Sequence, residues 1–195
     1  MSLYRIKDFV SNYNQSFDGN DIIGFSLYAN SDKIGSVDDI IVDDHGQFRY
    51  LVINTGVWVF GKKVLLPIGR ARIDFSDHRV YADTLTKEQV EHLPEYSDKM
   101  TIDFAHEESV RKVYRKPQRS ANPAAFGVGY GGIDTAPPSR TDAPKIDLSA
   151  GYAGYDHSDY NYDLDPDLYN LNDQHHTNLK QYQERLKASR INKTV

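Results

Sequence analysis

The run from Lys33 to Leu66 constrains the fold more than any other part of the sequence, because it packs several short strand patterns and their turns into one uninterrupted block. Turn residues separate these patterns at Asn30 to Lys33 and at His45-Gly46. In Phe48 to Thr55, successive side chains point to opposite faces of an extended chain, and apolar residues occur on both faces. Burial on both faces is what a closed barrel or a dimer contact requires. The block therefore predicts a mainly β fold, in the form of a small β-barrel.

Three segments have the sequence features of helices. In Thr86 to Leu93, an N-cap threonine is followed three residues later by Gln89, which is the pattern of a capping box. A broken apolar stripe over Asp103 to Lys116 predicts a second helix that docks on the barrel. Asn172 to Arg190 predicts a third, amphipathic helix that needs a partner surface, and a lone remnant strand over residues 179–186 stays open as the alternative. The apolar stripe of this third helix consists of Leu179, Tyr182 and Leu186.

Residues 117–170 differ from the rest in composition, because Pro, Gly, Ser, Asp and Tyr dominate and aliphatic residues are sparse. Such a segment buries too little apolar surface to offset the entropy lost on ordering. One interpretation is a solvated tether. The other is that its tyrosines dock segment by segment on the barrel or on a second subunit, since a phenol offers apolar area and a hydroxyl together. These tyrosines are Tyr130, Tyr152, Tyr155, Tyr160, Tyr162 and Tyr169.

The patterns together predict four parts in the chain. A barrel domain covers residues 1–96, a docking helix covers 97–116, a Tyr/Asp/Gly-rich linker covers 117–170, and an amphipathic helix covers 171–195. The predicted fold is thus a small barrel with short flanking helices and a long extension that ends in a helix.

The composition excludes several kinds of site and partner. Cysteine is absent, which removes disulfides, thiolate metal sites and cysteine nucleophiles. The formal net charge of -5 works against electrostatic attraction to phosphates, so no nucleic-acid partner is expected. No apolar run approaches the roughly 18 residues of a membrane helix, and the N-terminus lacks the pattern of a secretion signal. These features predict a cytoplasmic protein without a transmembrane segment.

The sequence contains no pattern that predicts catalysis, a cofactor or a metal site. The adjacent pair His175-His176 lacks the spacing of four that places two zinc ligands on one helix face. The aspartates from Asp156 to Asp167 lack the glycine and the terminal glutamate of a calcium loop. The glycines of residues 127–132 follow no strand pattern and precede no helix pattern, so they do not indicate a phosphate loop. We therefore expect a protein that is not an enzyme and that holds no cofactor or metal.

Large aromatic side chains are the candidate protein-interaction residues. Trp58 and Phe60 lie between Gly56 and Gly61, in a connection where such rings either fold back on the core or contact a partner. Two-sided apolar strands, combined with segments that lack a core of their own, predict a homodimer that also binds another protein. The remaining candidates come from the extension and are Tyr152, Tyr155, Tyr160 and Tyr162.

The segment from Gly24 to Tyr96 resembles a PRC-barrel, the domain of the photosynthetic reaction-centre H subunit and of the C-terminal end of the ribosome maturation factor RimM. The resemblance implies a non-catalytic adaptor that binds proteins, and it leaves open peripheral association with a photosynthetic membrane complex. The alternative that it implies is a ribosome-maturation or RNA-processing factor. The matching pieces are Lys33 to Ile40, Arg49 to Ile53, Phe60 to Pro67, Leu85 to Val90, and Pro94 to Tyr96.

A second resemblance concerns the C-terminal part. Residues 167–172, followed by 179–186, resemble the junction at which a stress-response domain begins in cyanobacterial PRC-barrel proteins of the akinete-marker type. This resemblance implies a role in stress.

Overall fold

A sheet of seven strands organises the chain in the computed structural model, which describes residues 2–29, 31–56, 61–82, 85–115, 160–171 and 174–191. The strands are β1 (Leu3–Arg5), β2 (Ser26–Ala29), β3 (Asp32–Asp43), β4 (Phe48–Asn54), β5 (Lys63–Pro67), β6 (Arg72–Asp74) and β7 (Arg79–Tyr81). The α-helices are α1 (Ile6–Phe9), α2 (Lys87–His92), α3 (Phe104–Tyr114), α4 (Pro166–Tyr169) and α5 (Thr177–Ile191).

The long strand β3 forms the centre of the sheet. It pairs with β4 on one side, and on the other side its beginning pairs with β2 and its end pairs with β1, all antiparallel. Beyond β2 the sheet continues through β7 in parallel pairing and then to β6, which gives the strand order β5-β4-β3-β2-β7-β6. The predicted turn residues His45-Gly46 thus lie between the antiparallel strands β3 and β4, whereas Asp32 and Lys33 of the other predicted turn belong to β3 and pair with β2.

The sheet is not closed, so the prediction of a closed barrel is wrong. Strands β5 and β6 end the path and do not pair with each other in the part of the chain that the structure describes. The free edge of β5 is covered instead by groups from later in the chain. The Tyr96 amide donates to the Lys63 carbonyl at 2.8 Å, and the Tyr114 hydroxyl donates to the Leu65 carbonyl at 3.1 Å. These bonds satisfy edge groups that closure of the barrel would otherwise pair.

Strand β4 is buried on both faces, as its sequence predicts. Every residue from Phe48 to Ile53 is buried, including Arg49. Part of this cover comes from the N-terminal region, where the ring of Phe17 stacks on Phe48 at a centroid distance of 6.1 Å. Further cover comes from the C-terminal part of the chain.

The three predicted helices are present as α2, α3 and α5, with α3 ending at Tyr114 and α5 beginning at Thr177, whereas the sequence did not predict α1 and α4. The predicted capping box of α2 is present, with the Gln89 amide donating to the Thr86 hydroxyl and the Gln89 side chain accepting from the Thr86 amide. Helix α5 rules out the remnant strand over residues 179–186. The side chains of Leu179 and Leu186 are fully buried, and the ring of Tyr182 lies 5.0 Å from that of Phe17. The amphipathic stripe therefore packs on the domain itself.

The chain divides into two units, of which the first comprises residues 1–115 and 161–195 and the second comprises residues 116–160. Only Tyr160 of the second unit belongs to the described residues. We call residues 161–171, which lie in the first unit, the strap. The strap contains a 3₁₀ turn over Tyr162–Leu164 and helix α4, and Tyr162, Leu168 and Tyr169 are all buried. For these residues docking is the correct interpretation and a solvated tether is wrong.

Candidate functional site

The strap approaches the sheet at a point where only a glycine leaves enough room. Gly69 lies in the 3₁₀ turn Ile68–Arg70 that follows β5. A Cβ atom at this position would lie 2.8 Å from the carbonyl carbon and oxygen of Leu168 and 3.0 Å from the amide nitrogen of Tyr169. Because all three atoms belong to the backbone, a larger residue would have to displace α4.

Three phenols and one carboxylate meet beneath the strap. The hydroxyls of Tyr50 and Tyr162 both donate to Oε1 of Glu107, at 2.7 and 2.9 Å. The hydroxyls of Tyr50 and Tyr169 are 2.5 Å apart, and because Tyr50 directs its single proton to Glu107, Tyr169 is the donor in this pair. The rings of Tyr162 and Tyr169 also pack edge to face at 4.6 Å. We call these four residues the tyrosine–glutamate cluster.

A buried arginine supplies the counter-charge of this cluster. Arg111 is 0% exposed, and its Nη1 atom lies 3.4 Å from Oε1 of Glu107, one helical turn earlier on α3. Its Nε donates to Oε2 of Glu108 at 3.0 Å. A buried carboxylate is tolerated only when it is paired and hydrogen-bonded, because the loss of one partner leaves an uncompensated charge away from water.

Burial keeps the phenols of the cluster protonated. It raises the pKa of Tyr169 to about 12, although the charge of Arg111 acts in the opposite direction. Burial, together with the negative charge of Glu107, raises the pKa values of Tyr50 and Tyr162 above the ordinary value. All three hydroxyls are therefore hydrogen-bond donors at neutral pH.

An ion pair joins the end of α3 to the strap. Arg115 donates from Nε and Nη2 to the two carboxylate oxygens of Asp165, at 2.9 and 2.7 Å, and from Nη1 to Glu108 at 2.6 Å. Burial by itself would lower the pKa of Arg115, but the hydrogen bonds and charges of the two carboxylates raise it. This fork geometry holds Arg115, the last residue before segment 116–159, beside the strap that follows that segment in the chain.

A second arginine supports the strap from β4. Arg49 donates from Nε and Nη2 to one oxygen of the fully buried Asp43, at 2.9 and 2.7 Å. Its guanidinium lies 3.8 Å from the ring centroid of Tyr162, a stacking arrangement that arginine favours. The position of Tyr162 is therefore fixed at its hydroxyl and at its ring face.

A polar cleft of about 510 Å³ opens beside the strap, between the turn that joins β3 to β4 and helix α5. Gln183 lines this cleft, and its side-chain oxygen accepts a hydrogen bond from the Phe48 amide at 2.8 Å. The volume is in the range of small-molecule sites, but the lining is mostly polar rather than apolar. The lining residues are His45, Gln47, Phe48, Arg49, Asn161, Asp163, Tyr169, Asn170, Leu171, Lys180, Gln183 and Glu184.

Comparison with known families accounts for the central part of the sheet. A family model described as the PRC-barrel domain matches residues 14–89. Residues 14–89 are a PRC-barrel domain. This confirms the resemblance seen in the sequence from Gly24 to Tyr96. The matched residues contain strands β2 to β7, whereas β1, α3, the strap and α5 lie outside them.

A protein from Deinococcus radiodurans is similar to this chain. The two are 36% identical over 113 residues, and the match covers 50% of this chain and 40% of the relative, which is described only as an uncharacterized protein. This chain therefore spans well under two thirds of the length of the relative. Neither comparison supports the akinete-marker-type resemblance of the C-terminal part, which stays a prediction.

The PRC-barrel domain contributes only part of the strap contacts. It supplies Tyr50, Arg49 and Gly69, whereas Glu107 and Arg111 come from α3. In the described part of the chain, no helix is long and apolar enough to cross a membrane. Nor do three potential metal ligands converge anywhere within those residues.

The candidate interaction residues have different positions relative to the PRC-barrel domain. Trp58 and Phe60 fall within its matched range but lie outside the described residues, as do Tyr152 and Tyr155. Tyr160 is half-buried. Tyr162 is only 4% exposed, so contact with a partner would require the strap to leave the sheet.

Sequence reasoning did not identify the polar residues that hold the strap. Glu107 and Arg111 are four residues apart and lie on one face of α3, and Arg115 follows four residues later as the C-cap residue of the helix. A charged stripe of this kind, on a helix with only a broken apolar stripe, was the available signal. It did not identify Tyr50 or Asp165 as partners, because both are distant in the sequence.

Proposed function

We propose that this chain is a non-catalytic protein-interaction module, in which the PRC-barrel domain and α3 hold both ends of segment 116–159 and present that segment to another protein. PRC-barrel domains are often protein-interaction modules. The observation that carries the proposal is the two-pronged ion pair between Arg115 and Asp165, which holds the exit and the return of the segment together. Such an ion pair would allow an adaptor to present the segment to a partner from a defined position on the domain.

Holding the ends together has a thermodynamic cost that the strap contacts offset. Closure of a loop of 44 residues costs about 3 kcal/mol of chain entropy. A charge-assisted hydrogen bond contributes on the order of 1.5–3 kcal/mol, and the strap makes several of them. Because part of the chain entropy is already lost in the free protein, less remains to be lost when a partner binds.

The composition of the segment favours a protein as partner. Tyr130, Tyr152 and Tyr155 occur among glycines, prolines and serines. Tyrosine provides large contact area at a low cost in side-chain entropy, and small polar residues allow adaptable hydrogen bonding. The formal net charge of -5 disfavours a nucleic acid as the main partner.

Self-association and a second contact surface belong to the same proposal. We propose a homodimer, and we assign Trp58 and Phe60 to a protein contact because large rings in a glycine-bounded connection suit an interface. We also propose a cytoplasmic location, in keeping with the absence of cysteine.

A quantitative pull-down from a lysate of the source organism tests this function. We expect the native chain to enrich a specific protein, and we expect the double variant Tyr152→Ala/Tyr155→Ala to recover roughly tenfold less of it, as loss of two interface tyrosines predicts. Trp58→Ala/Phe60→Ala tests the second surface in the same way. Arg115→Ala, which releases one end of the segment, should give an intermediate loss. The matched control is Leu164→Ala, which changes an exposed strap residue and should retain full recovery.

The proposal is rejected if all of these variants recover the same proteins in the same amounts as the native chain. A reproducible thermal shift with a small metabolite, combined with its turnover, would replace the proposal with an enzymatic function.

A further inference from the structure

The groove beneath the strap has the features of a receptor for a peptide segment. Its floor contains the buried Glu107 and the fully buried Arg111, and two of its hydrogen-bonding groups are satisfied by the strap hydroxyls of Tyr162 and Tyr169. Gly69 provides the close backbone approach that α4 requires. An empty groove would leave buried polar groups without these partners, so the groove needs an occupant.

The strap, for its part, resembles a bound peptide rather than an element of the sheet. Its regular structure is limited to a 3₁₀ turn of three residues and the four-residue helix α4. It contacts the groove through two phenols, a carboxylate and one tight backbone approach. All of these contacts could be made equally well by a strap that belongs to another chain.

The covalent connection to the strap is far longer than the observed arrangement needs. Segment 116–159 has 44 residues, and a chain of that length can extend to roughly 150 Å. It has only to connect Arg115 with Tyr160, and Arg115 already contacts the nearby Asp165. The length therefore permits the strap to reach a groove on a different copy.

We infer that the groove also accepts the strap of a second copy, so that two chains associate by exchanging residues 161–191. This inference rests on the self-association that the proposed function includes. Helix α5 comes after the strap in the chain and is exchanged with it, so its Tyr182, which packs on Phe17 of its own chain in the structure, packs on Phe17 of the second copy in the dimer. Each chain then gives one strap and receives one, which makes a closed two-fold dimer with two identical grooves.

Protein concentration decides between the closed monomer and the exchanged dimer. The contacts are the same in both forms, so a second chain competes with a chain's own strap only at a protein concentration comparable with the effective concentration of a tethered group, which is on the order of millimolar. Exchange should therefore increase when chains are unfolded and refolded together at about millimolar concentration. Dilution should reverse it slowly, since the strap must leave its groove.

Cysteine cross-linking tests the exchange against a clean background, because the chain has no cysteine. One chain carries Arg115→Cys and the other carries Asp165→Cys, and the two are refolded together and oxidised mildly. We expect a disulfide between the two chains at a yield at least tenfold above that of a control mixture of Arg115→Cys with Lys99→Cys, whose residue 99 is exposed and outside the groove. Adding Gly69→Ala to the Arg115→Cys chain should abolish the cross-link, because that groove no longer accepts a strap.

A second experiment tests the exchange with native chains, without cysteine substitutions. Tagged and untagged native chains are refolded together, and light scattering with tag capture measures the mass and composition of the product. A mixed dimer together with the 115–165 cross-link supports the exchange. A dimer without that cross-link overturns the exchange but leaves the proposed function intact. A protein that stays monomeric at about millimolar concentration overturns both the exchange and the proposed homodimer, and the pull-down then decides separately whether the chain binds another protein.

Discussion

At the scale of single residues, the hydroxyl of Tyr162 connects the strap to the charge beneath it. Tyr162→Phe removes one donor to the buried Glu107 and keeps the ring that stacks on Arg49. A hydrogen bond to a charged acceptor contributes about 1.5–3 kcal/mol, so we expect the free energy of unfolding to fall by about 2 kcal/mol. Urea denaturation, followed by circular dichroism, measures this change.

Tyr4→Phe is the matched control for this substitution. Tyr4 is 40% exposed and contacts Phe9 only through its ring, so removal of its hydroxyl should change the free energy of unfolding by less than about 0.5 kcal/mol. Equal effects of the two substitutions would show that the Tyr162 hydroxyl contributes nothing specific.

At the scale of elements, the close contact between the 3₁₀ turn after β5 and helix α4 determines whether the strap docks. In Gly69→Ala, the new methyl group would meet the Leu168 carbonyl at 2.8 Å, so α4 must shift outward. Overpacking of this kind typically costs 1–3 kcal/mol. We expect amide hydrogen exchange to speed up across residues 162–171 while β3 and β4 keep their protection. Unchanged exchange in the strap would mean that the contact is more tolerant than the geometry indicates.

Leu164→Ala gives the comparison for that experiment. Leu164 belongs to the same strap but is 46% exposed, so its truncation removes little buried area. Its exchange pattern should match that of the native protein.

Local patterns accounted for most individual elements. The capping box of Thr86 and Gln89 marked the start of α2, and the stripe of Leu179, Tyr182 and Leu186 marked the buried face of α5. Each of these signals lies within a few residues of the element that it predicts, because helix caps and amphipathic faces are local properties.

Contacts between elements involve residues that are distant in the sequence, and local patterns did not predict them. Closure of the barrel depended on pairing of β5 with β6, but the edge of β5 is covered by Tyr96 and Tyr114 instead. Docking of the strap depended on a phenol at position 162 meeting a carboxylate at 107. Composition allowed either outcome for the strap, since a phenol suits both a tether and a buried contact.

At the scale of the whole molecule, the PRC-barrel domain is completed by parts of the chain outside its family boundaries. The apolar faces of α5 and the strap cover the domain, and the buried charges of α3 hold the strap in place. Because these contacts join distant parts of one chain, loss of the strap should weaken the fold as a unit. Conditions that ionise the buried phenols test that coupling.

Stability should fall steeply at alkaline pH for this reason. The pKa values of Tyr13, Tyr96 and Tyr169 are raised to about 12, chiefly by burial, and those of Tyr50 and Tyr162 are raised as well. The unfolded chain releases these protons near pH 10, whereas the folded chain retains them. The stabilisation is therefore fully present below pH 10 and is lost as the pH rises towards 12. For Tyr169 alone, two pH units correspond to about 2.7 kcal/mol.

Phenolate absorbance and circular dichroism, recorded together during a pH titration, check this expectation. The buried phenols should ionise only as the fold is lost, so both signals should change in one steep transition above pH 10. Tyr169→Phe removes one of the raised groups and should make the pH dependence shallower. If all tyrosines ionise near pH 10 while the circular dichroism stays native, the phenols beneath the strap are accessible to water. The strap would then not be the closed cover on which both the anchored segment and the exchange between copies depend.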